Sequence, residues 1–86
     1  MAARAFTFTV VYEHDPDTGY VCASVPALDL ASHGRTADEA RAMIREALAV
    51  HLEGMLDEQM PIPADVFEVE RVTVPVPAPA SEGVES

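Results

Sequence analysis

The sequence predicts an α+β domain: a three- to four-stranded antiparallel sheet with one long helix packed on one face, in the order βββαβ. Three observations lead there. Phe6, Phe8 and Val10 alternate with Thr7 and Thr9, the two-residue period of a strand with one covered face. Asp15-Pro16-Asp17-Thr18-Gly19 is a turn that returns the chain into the apolar run Tyr20 to Val25. Thr36 followed three residues later by Glu39 is a capping box, and it opens a long apolar stripe of helical spacing.

The elements follow in order. The first strand is expected over 5–12, one face apolar and the other half-polar, as in an antiparallel sheet covered on one side. Gly19 is expected at positive φ, closing the hairpin to a second strand over 20–25, and Pro26 then ends the ladder because it has no N–H to donate. A loop over 27–35 holds a short third strand around Ala31-Ser32-His33. The helix is expected from Ala37 to about Glu58, with Ala40, Met43, Ile44, Ala47, Leu48, His51 and Met55 forming its apolar side and Leu52 and Leu56 widening it. That side is expected to cover Phe6, Phe8 and Val10. Gly54 costs about 1 kcal/mol relative to Ala in a helix interior. Glu53, Asp57 and Glu58 crowd the negative end of the dipole. Pro61-Ile62-Pro63 forms an extended connector. A last strand is expected over 66–74, with a bulge near Glu70-Arg71 reconciling Phe67 and Val69 with Val72 and Val74. Residues 1–74 thus read as one domain and 75–86 as a disordered Pro/Ala/Glu tail.

Composition narrows the function. An 86-residue chain buries only about 60% of the surface its unfolded form exposes, so association with a copy or a partner is expected. Fifteen acids stand against five arginines and no lysine, a net charge of −10. Such a surface repels phosphate backbones and draws in basic proteins. Cys22 is the only cysteine, which rules out an internal disulfide; mid-strand, it reads as a small buried hydrophobe. The N-terminus lacks the apolar run of a signal peptide and no long uncharged apolar segment follows, so a cytoplasmic protein is expected.

No catalytic, cofactor or metal set emerges. Counted from Asp15, a calcium-binding loop would need glycine at its sixth position, where Tyr20 stands. His33 and His51 are far apart in sequence, and nothing in the linear order sets a carboxylate or nucleophile against His33. Two-metal phosphodiester cleavage needs converging carboxylates, and the first strand from Phe6 to Val11 carries none. No phosphate loop, Ser-His-Asp set or HExxH pattern is present. The chain reads as a non-enzyme.

The run from Tyr12 to Pro63 resembles the HicB-like antitoxin domain. The resemblance rests on the acidic turn with Gly19-Tyr20-Val21, Ser24-Val25-Pro26, Gly34-Arg35-Thr36, the Glu39-Ala40 helix start and Pro61-Ile62-Pro63. It implies a degenerate, partial RNase H-like fold. It further implies a non-enzymatic antitoxin that binds and neutralises a small basic HicA-type mRNA interferase. Three departures stand out. Ala27-Leu28-Asp29-Leu30-Ala31 replaces a longer loop, the glycine that often ends the family helix is replaced near Gln59, and the stretch after Val74 lacks the pattern of a DNA-binding segment. A stand-alone form that does not itself contact nucleic acid is therefore expected. The expected partner-binding residues are the acids on loops and the helix end: Asp15, Asp17, Asp29, Glu53, Asp57 and Glu58. The alternative is an orphan module, a homodimer or higher homo-oligomer formed through the Thr7/Thr9/Val11 side or an edge strand, with no toxin partner. A third option, an enzyme using His33, has the least to support it.

Overall fold

A computed structural model describes residues 4–78. Its elements are β1 (Val11–His14), β2 (Val21–Val25), a single 3-10 turn (Pro26–Leu28), β3 (Leu30–Gly34) and α1 (Ala37–Asp57). The strands form one antiparallel sheet in the order β1-β2-β3, so the α+β expectation holds with three strands.

The register explains where β1 begins. Val11 faces Ser24 and His14 faces Val21. Continuing backwards would set residue 9 opposite Pro26, which has no N–H and turns the chain into the 3-10 segment. The strand-like alternation of 5–10 therefore runs past the end of its partner. Phe8 and Val10 still reach the margin of the core, half-buried. The hairpin itself forms as expected: Gly19 has φ 80°, its N–H donates to the Asp15 carbonyl at 2.8 Å, and the Asp15 N–H donates to the Tyr20 carbonyl at 2.8 Å.

Val21, Ala23, Val25, Ala40 and Ile44 make up the fully buried core. Alternation along β2 puts its odd-numbered residues under the helix, so Cys22 faces outward and is exposed, contrary to the buried position its apolar neighbours suggest. The helix packs across β3 and β2, and of the expected Phe6–Phe8–Val10 side, Phe8 and Val10 pack against the same buried cluster. Gly34 sets this geometry. A Cβ there would come within 2.5 Å of the Ala40 nitrogen, so only glycine lets the helix start so close to β3.

Thr36 caps the helix, its hydroxyl accepting the Glu39 N–H at 3.1 Å. The reciprocal half of the box is displaced by one residue: Glu39 Oε1 accepts the Arg35 N–H at 2.6 Å instead of that of Thr36. At the other end, Glu58 is the cap and Gln59 adopts φ 58°. The Met60 N–H reaches the Met55 carbonyl (2.8 Å) and the Gln59 N–H reaches that of Leu56 (3.0 Å). This is the glycine-type helix stop made by a glutamine.

A helix of 21 residues spans about 31 Å, while five strand residues span about 17 Å. The helix therefore overhangs the sheet; Val50, 64% exposed, lies on a different face of the helix from the fully buried Ile44. Beyond Met60 the chain is extended. The strand expected over 66–74 does not join the sheet, and its side chains are exposed. Among the described residues its hydrogen-bonded link to the body is Thr9, whose hydroxyl lies 2.6 Å from Asp65 Oδ2 and 3.1 Å from the Phe67 carbonyl. Most of the tail expected over 75–86 lies outside the described residues.

Candidate functional site

The two ends of the sheet carry different acids. At one end His14, Val21 and Gly34 stand in register, so the β1–β2 turn and the helix N-terminus lie together. Asp15 and Asp17 are on that turn, exposed, with Glu13 just before them. Asp15 Oδ1 accepts the Asp17 N–H at 2.9 Å, and the Tyr20 N–H donates to Thr18 Oγ1 at 3.1 Å. The bond from the Asp17 amide, then that from the Thr18 hydroxyl, holds the Asp15 carboxyl below the usual aspartate range. The turn thus keeps its charge while it is shaped by it.

At the other end Val25 faces Leu30, and Asp29 links the 3-10 turn to β3 in the left-handed conformation, φ 53°. Aspartate tolerates that region better than most residues. The helix runs back past this end, since Leu30 and Ser32 line a groove with Met43, Ala47, Val50 and His51. Glu53, Asp57 and Glu58 lie further along the overhang, all exposed, with no basic residue in the last helical turn. The six acids read from the sequence therefore divide: Asp15 and Asp17 at one end of the sheet, Asp29, Glu53, Asp57 and Glu58 towards the other. Among the described residues the one ion pair, Arg41 with Asp38 at 2.7 Å, neutralises neither group.

The register also builds a row that the linear order does not display. Glu13 faces Cys22, and Cys22 faces His33, so a carboxylate, a thiol and an imidazole stand side by side across three strands on the uncovered face. Neighbours in such a row have Cβ atoms about 4.5–5.5 Å apart. They line a shallow cleft of about 420 Å³ with His14, Asp15 and Tyr20. The only signal for it in the sequence is parity: Cys22 and His33 lie on outward positions, but pairing them needs the register. Among the described residues no three His, Cys, Asp or Glu side chains are grouped so as to hold a metal ion. His51 is half-buried between the groove under Val50 and the helix end.

An acidic-turn hairpin, a third strand, a glycine-tight helix entry and a proline-rich exit together make a pattern shared with a known family. Residues 8–77 match the family described as the HicB_like antitoxin of bacterial toxin-antitoxin system. The chain belongs to this family. The match runs beyond the Tyr12–Pro63 span that carries the resemblance in the sequence, and takes in the unpaired segment after Pro63. The family supports an antitoxin role in general, with a toxin as partner, and suggests a non-enzymatic role. Neither the curated proteins nor the solved structures gave a match. Among the described residues of this HicB-like domain, no helix is long and apolar enough to cross a membrane.

Proposed function

We propose that this HicB-like domain neutralises a small basic mRNA interferase of the HicA type by presenting uncompensated carboxylates to its cationic surface. The observation that carries this is the −10 net charge together with two exposed acidic groups that no arginine within the described residues pairs with. Opposite charge steers encounter and sets partner choice more than it sets final affinity. The hairpin end is the stronger docking candidate. Its turn is ordered by its own hydrogen bonds, so Asp15 and Asp17 are held before the partner arrives. The overhanging helix end, with Glu53, Asp57 and Glu58, is the second contact region, and Asp29 lies between them.

Co-expression with any short basic protein whose reading frame adjoins that of this chain, followed by pull-down, tests the reading. A complex is expected whose formation rate falls steeply with salt. Asp15→Arg with Asp17→Arg should weaken it at least tenfold. Absence of any complex, or indifference to both substitutions and to those at Glu53, Asp57 and Glu58, counts against it.

A further inference from the structure

Among the described residues, two stretches with the sequence pattern of strands have no strand partner. Segment 5–10 alternates Phe6, Phe8 and Val10 with small or polar residues but lies outside β1. Segment 66–74 carries Phe67 and Val69, then Val72 and Val74, at two-residue spacing. These four side chains are 46–67% exposed. Among the described residues, no backbone-to-backbone hydrogen bond outside the helix and the sheet involves either segment. An exposed, apolar, unpaired strand is a template for pairing with another chain.

We infer that these two segments pair between two copies of this chain, the 66–74 segment of each adding as a strand to the 5–14 edge of the other. Four observations support a second copy as the occupant. Thr9 already holds Asp65 and Phe67 beside the open side of β1, so donor and acceptor segments meet at one place on the molecule. Pro61 and Pro63 keep the connector extended, which favours handing the strand to a neighbour over folding it tightly back. The chain's radius of gyration is 19.0 Å, against about 12 Å for a compact fold of this length. Finally, Asp65 Oδ1 is buried at this junction without a hydrogen-bond partner, an acceptor that a neighbouring N–H would satisfy.

The size fits as well. At about 3.3 Å per residue, segment 66–74 is on the order of 30 Å long. A stable dimer brings about 20–30 residues a side into contact. The donated segment and the receiving edge of each copy supply close to the lower figure. A two-fold axis makes the exchange closed, because each copy gives and receives the same strand.

The full chain without any toxin tests this. Light scattering coupled to size exclusion should return twice the 9.2 kDa chain mass over a wide concentration range. Hydrogen exchange should show the amides of 66–74 protected. Val69→Asp with Val72→Asp should return the single-chain mass with helical circular dichroism retained. Thr73→Pro, which removes one ladder donor without adding charge, should weaken the dimer at least tenfold and decides the matter if the double variant loses its helix. A single-chain mass for the unaltered protein, with or without protected amides, overturns the inference, as does a dimer indifferent to both variants. A monomer would leave the toxin-binding reading intact, and a failed pull-down would leave this one intact.

Discussion

Segments 21–25 and 66–74 are both valine-rich, β-patterned stretches in one chain, yet one is the centre of the core and the other lies in solvent. Their compositions do not separate them; their neighbours do. β2 is flanked by a tight hairpin on one side and a short connection on the other, so both partners are delivered within a few residues. Segment 66–74 follows a long helix and a proline connector, and its pairing must be closed over a large sequence separation. Local closure is entropically cheaper, and here it decides which strand signals become sheet.

The contrast can be broken most directly at Ile44. Ile44→Ala empties the largest fully buried site and should cost about 2–5 kcal/mol by urea unfolding. Gly34→Ala should cost about 1–3 kcal/mol, because the new methyl meets backbone at Ala40 and Glu39 that cannot shift without moving the helix. Gln59→Gly should raise stability by about 1 kcal/mol, since a side chain at φ 58° carries a cost that glycine does not. Val76→Ala, 80% exposed and beyond Pro75, should stay within about 0.5 kcal/mol of the parent. A large loss there would show that the extended region is part of the folded unit.

Asp15 supplies the smallest effect, with a defined sign. Its folded-state pKa is depressed, so its contribution is present above the ordinary aspartate value and is lost as pH falls through the lower folded value. An NMR titration should find Asp15 protonating below the ordinary aspartate value, with the Asp17 amide shift following it. Asp15→Ala should abolish that coupled shift.

Much of the body is legible in the sequence. The turn at 15–19, the Thr36 cap and the helix length each follow from chemistry within four or five residues, and each forms where expected. The start of β1 is not legible in the same way. Phe6, Phe8 and Val10 have the right period, while the feature that cuts the pairing short, Pro26, acts from another strand. Cys22 is exposed rather than buried for a related reason: a mid-strand position says nothing about which face is covered. The acids are evident as residue types, but their separation into two groups depends on how far the helix overhangs the sheet.

By itself the sequence determined the period-two and helical stripes, the caps, the turn, the family pattern and the excess of negative charge, because these depend on neighbouring residues along the chain. Only the tertiary structure decided that Glu13, Cys22 and His33 stand in one row, that Gly34 brings the helix against β3, and that 66–74 is left without a strand partner among the described residues. Those outcomes rest on register and on close approach between segments distant in sequence, which local propensity does not encode.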